Sequence, residues 1–456
     1  MCGIFGIHGH DHAVEVALLS LHALQHRGQE GAGISFVKPD GALNTVKDKA
    51  LVSEISQKKP LKKAKSHSAI GHIRYATSGS NKRENVQPFN ARFDFGYEGN
   101  NIQDLAIAHN GNLTNQISLK HELVKEGALF RSSSDTETIL HLLARSKGRT
   151  LHDKLFDACS KLEGAYSLTI LTKDLLIGVR DPFGFRPLFL GEFEGAYLLT
   201  SETCAFELLG AKLIKEILPG QAVFIGVEGY EIHQWFDPKQ HQFCIFELIY
   251  FSRPDSLFEE QNIYEVRKNM GRVLATEYLP KADMVVPVPD SGVPAAMGYA
   301  EARGLPFELG ITRNHYVGRT FIDSDVGIRN LSLRMKHNPN SLLLKGKKII
   351  LVDDSIVRGS TAKSLIKILW DLGVSEIHFA VSSPTYISPC FYGIDTPNKS
   401  DLLANQRTIE EIRAELQVNS LHYLSLQGLK NSVLSNNSFC TACFTGNYPT
   451  KIEQKI

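Results

Sequence analysis

The residue nearest the start of the chain that could do chemistry is Cys2, which directly follows Met1. Removal of Met1 would leave Cys2 with a free α-amino group, so that a thiol and a base would belong to one residue. An α-amino group has an ordinary pKa of about 7.7–8.0 and can take the thiol proton, as N-terminal amines do for nucleophilic hydroxyls. Taken alone, Cys2 would be better explained as a small buried residue at a strand start. We expect simple removal of Met1 and no propeptide.

Three further segments carry side chains that acyl transfer at a thiol would need. Asn110 and Gly111 follow an apolar run and offer a side-chain amide beside a backbone N–H, which are suitable donors for an oxyanion. Arg74 stands where a strand opens into a loop of Gly and Ser, a position suited to pairing with a substrate carboxylate. Residues 132–137 are typical of a helix N-cap, within which Asp135 could instead hold an α-ammonium.

A second chemical segment, residues 353–361, follows the apolar run 348–352 and precedes a helix. Its paired carboxylates, Asp353 and Asp354, could bind ribose hydroxyls or a Mg²⁺ ion. Its last three residues, 359–361 (GST), would direct backbone N–H groups and two hydroxyls at a phosphate near a helix N-terminus, although a plain capped turn explains these three residues equally well. Neither G-x-x-x-x-G-K-[ST] nor G-x-G-x-x-G occurs, which disfavours a nucleoside triphosphatase or a dinucleotide-binding protein.

Four of the seven cysteines form a possible ligand set. Cys440 and Cys443 form a C-x₂-C pair, which could ligate zinc, ligate an iron–sulfur cluster or act as a redox couple. Cys244 and Cys390 would complete a set of four thiolates if the fold brings them together. The pair alone does not decide between these possibilities.

The pattern of predicted strands and helices, which would position these groups, changes near residue 240. Before it, short apolar runs (105–108, 167–171, 175–179) among many Gly and Asn residues indicate a β-rich domain with a few helices, such as 13–25 and 135–144. After it, strands alternate with helices, which predicts a parallel sheet. The elements predicted there are strands 284–288, 307–310, 348–352 and 377–381 and helices 294–302, 362–372 and 409–416.

The composition is that of an ordinary globular protein. At 456 residues the chain exceeds the ~250–300 residues at which single cores stop growing, which predicts two domains. A hydrophobic fraction of 43% and a net charge of +1 give no electrostatic reason to expect nucleic acid or membrane as a partner. We find no signal peptide and no run of ~20 apolar residues, and therefore expect a cytoplasmic protein with reduced thiols, in which Cys159 and Cys204 are core residues.

Six motifs in one order resemble the N-terminal nucleophile (Ntn) glutaminase domain of class II amidotransferases. They are residues 1–4 (MCGI), 25–30 (QHRGQE), the Arg74 loop, the Asn110-Gly111 turn, Asp135 and residues 180–188 (RDPFGFRPL). The resemblance implies an α+β domain of αββα layers over residues 2–235. It implies that Cys2 attacks the side-chain amide of glutamine and that Asn110 and Gly111 stabilise the oxyanion. Arg74 and Asp135 would then bind the carboxylate and the ammonium of glutamine.

Residues 353–361 resemble the phosphoribosyl pyrophosphate loop of type I phosphoribosyltransferases. Residues 246–256, 285–291, 316–320 and 392–397 narrow the resemblance to the amidophosphoribosyltransferases, which catalyse the first committed step of purine synthesis. This implies an α/β domain with a parallel sheet over 240–400 and a helical, cysteine-bearing tail over 401–456 packed on it. The residues implied to bind phosphoribosyl pyrophosphate are Asp353, Asp354, Ser355, Val357, Arg358, Gly359, Ser360 and Thr361.

The resemblance also implies cofactors and an assembly. Mg²⁺ would be held by Ser291, Asp353 and Asp354. In the iron–sulfur subgroup of the family, cysteines stand at the places of Cys244, Cys390, Cys440 and Cys443, which implies a structural [4Fe–4S] cluster, with zinc as the alternative. Homotetramers and feedback inhibition by purine nucleotides are further family properties.

These observations lead to one hypothesis and two alternatives. The hypothesis is a two-site enzyme in which ammonia formed at Cys2 crosses to the second site and displaces pyrophosphate from phosphoribosyl pyrophosphate. His315, Ser324 and Val326 depart from the usual residues of the family, and they motivate the first alternative, a regulatory paralogue that binds phosphoribosyl pyrophosphate without turnover. The second alternative is a glutaminase that serves another acceptor, which the 353–361 loop disfavours.

Overall fold

The structure is a computed structural model that describes residues 1–75, 82–94, 102–314, 337–396, 398–405, 407–435 and 438–453. The first half of the chain forms two antiparallel sheets and the second half a parallel sheet, as the patterns predict. None of the helices in these ranges combines the length and the apolar composition that crossing a bilayer requires.

The two sheets of the first half lie face to face. The first sheet has the strand order Lys212–Glu216, Phe189–Phe193, Ala196–Thr200, Gly3–His8, Ser68–Arg74, Gly31–Val37 and Leu43–Asp48. The second has the order Gly229–Gln234, Gln221–Gly226, Leu176–Arg180, Gly164–Leu171, Ile102–Leu113 and Phe89–Asp94. Buried apolar side chains, among them Ile4 and Ile70 of the first sheet and Leu176 of the second, fill the space between them.

Helices cover the outer faces of both sheets. The helices of this half are Ala13–Ala23, Val52–Ile55, Lys59–Lys62, Gln116–Lys125, Asp135–Arg145, Leu151–Ser160 and Cys204–Leu209, with 3₁₀ turns at Gln25–Arg27 and Arg83–Asn85. Leu21 and Phe206 pack on the first sheet, whereas Leu143 and Leu155 pack on the second. The layers are therefore αββα, in agreement with the expected fold class.

The parallel sheet of the second half has the strand order Met284–Pro287, Lys348–Asp353, Glu376–Val381 and Ser420–Tyr423. Both of its faces are covered, as parallel sheets require. Ile350 packs towards helices Ile263–Glu277 and Val293–Arg303, and the next residue, Leu351, packs towards helix Ser360–Asp371. The carboxyl edge of this sheet is where the acidic residues emerge.

One predicted strand was wrong. Residues 307–310 do not form a strand, because pairing with the neighbouring strand is limited to a single bridge between Phe307 and Val285. The chain turns immediately afterwards, and the N–H of Gly310 donates to the carbonyl of Glu308 at 2.8 Å. Leu309 is exposed, and Phe307 is only partly buried where it meets the sheet edge.

The remaining elements join the two ends of the second half. Strand Phe243–Cys244 pairs in parallel with strand Phe439–Cys440. The other short elements are strands Leu257–Phe258, Gln261–Asn262, Ile311–Arg313 and His337–Pro339, helices Ser341–Leu344, Ile409–Leu416, Leu426–Asn431 and Ala442–Thr445, a π-helical turn Glu247–Phe251 and a 3₁₀ turn Lys399–Asp401.

Candidate active site

Cys2 lies immediately before the central strand Gly3–His8 of the first sheet, where it is buried. Its Sγ lies 3.6 Å from the carbonyl oxygen of Tyr75. Burial raises the pKa of the Cys2 thiol, and the adjacent Met1 α-ammonium opposes this rise. Burial also lowers the pKa of that α-ammonium, which belongs to Met1, to about 5.

A pocket joins Cys2 to three of the other predicted site residues. Its lining consists of Cys2, Arg74, Tyr75, Asn85, Gln87, His109, Gly111, Ser134 and Asp135. Asn110 lies beside it, buried, with its Nδ2 atom 3.4 Å from Ser201 Oγ. Residues 2, 74, 110, 111 and 135, which are far apart in sequence, thus meet at one place.

Asp135 is the first residue of helix Asp135–Arg145, and the cap is provided by Ser134, whose Oγ accepts the N–H of Thr136. The Asp135 carboxylate instead accepts the N–H of Leu113 at 3.0 Å and lies 3.5 Å from Nδ1 of His109. Burial would raise the pKa of Asp135, but His109 and the surrounding N–H donors hold it below its usual range. An ionised, buried carboxylate in a pocket is suited to an ammonium.

Gly111 has a conformation that requires glycine. Its φ is +156°, and an added Cβ would lie 2.0 Å from the carbonyl oxygen of Ala165 on the neighbouring strand. Because no side chain fits there, the backbone can approach that strand closely at the base of the pocket.

Sequence reasoning did not assign roles to five of the lining residues, namely Tyr75, Asn85, Gln87, His109 and Ser134. Two of them, Asn85 and Gln87, hold neighbouring segments in place. Asn85 and Ser133 exchange two hydrogen bonds of 2.9 Å, and Gln87 Oε1 accepts the N–H of His109 at 2.7 Å. The loop that contains Asn85 and Gln87 has no hydrophobic periodicity, so no sequence pattern indicated these contacts.

Arg27 connects this pocket to the second half of the chain. Its Nε donates to the carbonyl of Cys2 at 2.9 Å, and its two terminal nitrogens contact the carboxylate of Glu247 at 3.0 and 2.8 Å. Arg27 also pairs with Glu202. These three side chains are buried, so motif 25–30 contributes a buried ion network beside the nucleophile.

The acidic residues of the second half emerge at the carboxyl edge of the parallel sheet. Asp353 ends strand Lys348–Asp353, and Asp354 accepts a hydrogen bond from Ser355 Oγ at 2.5 Å and another from Ser291. Burial and the neighbouring carboxylate raise the pKa of Asp353. Two crowded carboxylates beside a hydroxyl are a donor set that fits a hard cation such as Mg²⁺.

The loop that follows these acids is open to a ligand. Gly359 has a φ of +75° and begins helix Ser360–Asp371, and its added Cβ would lie 2.6 Å from Leu403. The carbonyl of Val357 is held by the N–H of Leu403 at 2.9 Å. The side chains exposed around the helix N-terminus are those of Arg358, Ser360 and Thr361.

The fold brings the four predicted cysteines together. Cys244 pairs with Cys440 across the short parallel ladder, and the carbonyl of Cys443 accepts the N–H groups of Ile387 and Ser388, which lead to Cys390. None of the four forms a disulfide. Burial raises the pKa of the Cys443 thiol, and the nearby thiols of the other three raise it further. The predicted core cysteines, 159 and 204, are also buried and lie elsewhere.

Cysteine thiolates are the ligands that iron–sulfur clusters use, and these four thiols lie near one another. Within the ranges that the structure describes, no three His, Cys, Asp or Glu side chains are already arranged to hold a metal ion. The departures at His315, Ser324 and Val326, and motif 316–320, lie outside the described residues.

Two families of known domains match different parts of this chain. Residues 95–207 match the glutamine amidotransferase domain family, and residues 255–384 match the phosphoribosyl transferase domain family. The chain is 45% identical to amidophosphoribosyltransferase of Bacillus subtilis, with 99% of this chain and 95% of that protein covered. This chain belongs to the amidophosphoribosyltransferase family. Amidophosphoribosyltransferases also include chloroplastic protein 1 of Arabidopsis thaliana, 45% identical over 99% of this chain and 79% of that protein.

A solved amidophosphoribosyltransferase has the same fold. The glutamine phosphoribosylpyrophosphate amidotransferase of B. subtilis, complexed with ADP and GMP, matches with a TM-score of 0.93 and 43% identity over 99% of this chain and 98% of that chain. This confirms the expected fold class, an Ntn glutaminase domain followed by a type I phosphoribosyltransferase domain. The chain is therefore an enzyme of the first step of purine biosynthesis, which makes 5-phosphoribosylamine, glutamate and pyrophosphate from glutamine, water and phosphoribosyl pyrophosphate. None of these matches favours the regulatory alternative.

Proposed function

We propose that Cys2 is the glutaminase nucleophile, that Arg74 binds the glutamine carboxylate and that Asp135 binds its ammonium. The observation that supports this best is the pocket that all three side chains line. The low pKa of Asp135 keeps a negative charge at one end, and the guanidinium of Arg74 supplies a positive charge near the thiol. An amino acid would thus be oriented by both of its charges.

The chemical steps follow from this orientation. After removal of Met1, the Cys2 amine accepts the thiol proton, and the sulfur attacks the side-chain carbonyl carbon of glutamine. The N–H groups of Asn110 and Gly111 stabilise the oxyanion of the tetrahedral intermediate. The amine returns the proton to the departing nitrogen, which leaves as ammonia, and water then hydrolyses the thioester to glutamate.

We propose that phosphoribosyl pyrophosphate binds at the carboxyl edge of the parallel sheet. The hydroxyls of Ser360 and Thr361 and the helix N-terminus would hold the ribose phosphate, because they are exposed together there. Ser291, Asp353 and Asp354 would hold Mg²⁺, which when bound neutralises charge on the pyrophosphate. Ammonia then bonds to the anomeric carbon as the bond to the pyrophosphate oxygen breaks.

Ammonia would reach this carbon through the interface between the halves. Tyr75 of the glutamine pocket contacts Phe251 edge to face at 6.3 Å. The neighbouring Tyr250 is 47% exposed, and partial burial, the charge of Asp354 and Tyr75 raise its pKa, so it lies near both sites. A sheltered path is needed because free ammonia is protonated at neutral pH and loses its nucleophilicity.

We also propose a cofactor, domain limits, an assembly, a location and a mode of inhibition for this chain. Cys244, Cys390, Cys440 and Cys443 would hold a [4Fe–4S] cluster that fixes the tail to the second domain, with zinc as the alternative. Domain limits of 2–235, 240–400 and 401–456, homotetramers, a cytoplasmic location and inhibition by purine nucleotides complete the proposal. The ADP and GMP of the B. subtilis complex support the last of these.

The test is an assay that follows glutamate and pyrophosphate together. Anaerobically purified protein receives glutamine, Mg²⁺ and phosphoribosyl pyrophosphate. Equal and mutually dependent release of both products is the expected result. Glutamate without pyrophosphate would instead support a glutaminase with another acceptor, and neither product would support the binding-only alternative.

A further inference from the structure

We propose that Gly393, a residue of the second half, is a positioning residue for the oxyanion hole of the first half. The inference rests on the proposed role of Asn110 and Gly111 as oxyanion donors. It concerns the loop 390–396, which lies against the turn that carries these donors.

The two glycines meet backbone to backbone. A Cβ added at Gly393 would lie 3.1 Å from the carbonyl carbon and oxygen of Gly111 and 3.2 Å from its Cα. Gly393 has a φ of +108°, which side chains rarely adopt. Gly111 also approaches Ala165 closely, so its peptide lies near both a strand of its own domain and a loop of the other.

A hydrogen bond fixes the same contact one residue further along. Nδ2 of Asn112 donates to the carbonyl of Phe391 at 2.9 Å. The residue next to the oxyanion glycine is therefore tied to a residue two positions before Gly393. Position and orientation of the turn are both specified by the second half.

The loop itself is held rigidly. Arg186 donates from Nε and Nη2 to the carbonyl of Tyr392 at 2.9 and 2.7 Å. The ring of Phe185 stacks on the ring of Tyr392 with centroids 4.2 Å apart and planes inclined by 13°. Because Arg186 and Phe185 belong to the first half, these contacts fix the loop against that half.

The segment after the turn is held from the same side. Oγ1 of Thr114 lies 3.2 Å from Oγ1 of Thr450. The carboxylate of Glu453 accepts the N–H groups of Ile117 and Ser118 at 3.0 and 3.1 Å, at the N-terminus of helix Gln116–Lys125. A carboxylate is favourable at this end of a helix.

Oxyanion stabilisation depends on geometry at the level of a few tenths of an ångström. Loss of one donor costs about 10²–10³-fold in kcat, and a misplacement of about 1 Å costs about 10²-fold. A methyl group at position 393 must displace Gly111 or the loop. We therefore expect Gly393→Ala and Asn112→Ala to lower kcat for glutamine hydrolysis by about 10-fold to 10²-fold, with little change in the KM for glutamine.

Two control variants match these changes. Gly304→Ala also places alanine at a positive φ, +61°, but no atom lies within 4 Å of the added Cβ. Asn115→Ala removes an amide whose bonds, to Lys161 and Glu163, stay within the first half. We expect both controls to retain the kcat of the unaltered protein, and all four variants to retain synthesis of phosphoribosylamine from added ammonia.

The decisive readout is binding of glutamate γ-semialdehyde, whose aldehyde forms a tetrahedral adduct with a thiol and so needs the oxyanion donors. We expect Gly393→Ala and Asn112→Ala to weaken this binding about as much as kcat falls, and to leave binding of glutamate unchanged. Equal weakening for both ligands, or for neither, would overturn the inference. If Gly393→Ala does not fold, the same measurements on Asn112→Ala test the inference.

Asn110→Ala separates this inference from the proposed function. If Asn110→Ala leaves glutamine hydrolysis intact, the assigned oxyanion hole is wrong and the inference fails with it. If Asn110→Ala abolishes hydrolysis while Gly393→Ala and Asn112→Ala do not reduce it, the proposed function stands and only the positioning role is refuted.

Discussion

Arg27 and Glu247 form a two-armed salt bridge that joins the halves of the chain, with nitrogen–oxygen distances of 3.0 and 2.8 Å. Neither side chain is exposed, and the same guanidinium holds the carbonyl of the nucleophile. A buried pair is costly to break, because removal of one member leaves the other charged and desolvated.

Glu247→Ala should therefore destabilise the protein by about 3–5 kcal/mol. Urea unfolding measures this change. The control is Asp255→Ala, which breaks the partly exposed pair of Asp255 with Arg253 and should cost about 0–1 kcal/mol. A loss for Glu247→Ala no larger than for the control would show that the buried network is not stabilising.

Cys2→Ala should abolish glutamine-dependent synthesis, with a loss on the order of 10³-fold or more. Ammonia-dependent synthesis should remain, because it needs only the second site. The assay compares both nitrogen sources in the same preparation, with Cys159→Ala as a buried thiol outside the pocket. Retention of glutamine-dependent activity in Cys2→Ala would assign the nucleophile to another residue.

His72 should make stability depend on pH. Burial lowers the pKa of His72, and together with the nearby charges of Arg74, His109 and Lys47 it brings this pKa to about 3. The unfolded chain binds a proton near pH 6.5 and the folded chain does not, so stability is complete above pH 6.5 and falls as the pH drops towards 3.

Between pH 7 and pH 5 this loss amounts to about 2 kcal/mol. Urea unfolding at the two pH values should show that His72→Gln loses less stability on acidification than the unaltered protein. His67→Gln, at an exposed position, is the matched control and should keep the original pH dependence. Identical pH dependence in all three proteins would contradict a buried neutral His72.

Cys443→Ser should remove the proposed [4Fe–4S] cluster. The preparation should lose iron and acid-labile sulfide together, and the temperature of unfolding should fall because the tail is no longer tied at Cys390 and Cys244. Cys159→Ala should keep its iron. Detection of zinc without sulfide in the unaltered protein would replace the cluster with a zinc site.

Local patterns predicted the regular elements well. Helix 409–416 was predicted to the residue, because its apolar period is uninterrupted and Thr408 caps its start. Asp353 and Asp354 were correctly placed at the end of a strand, because they directly follow the apolar run 348–352. Strand 307–310 failed because four residues, of which only Phe307 and Leu309 have large apolar side chains, are too few to distinguish a strand from a turn.

Contacts between distant residues could not be predicted in the same way. The Arg27–Glu247 bridge spans 220 residues, and the Asn112–Phe391 bond spans 279. No local sequence pattern indicates either contact. Which residues meet in them depends on how the two domains pack against each other. The sequence motifs indicated that these segments matter, whereas only the fold shows which of them touch.

The bonds from Thr450 and Glu453 to the oxyanion strand and the helix after it also set an order in time during synthesis. A ribosome adds about 5–20 residues per second, so roughly 10–40 s separate emergence of the first domain from emergence of these two residues. Throughout that interval the nascent glutaminase domain lacks part of its support. We expect a growing chain to fold its sheets early and to hydrolyse glutamine more slowly than the full chain until the acceptor domain is complete.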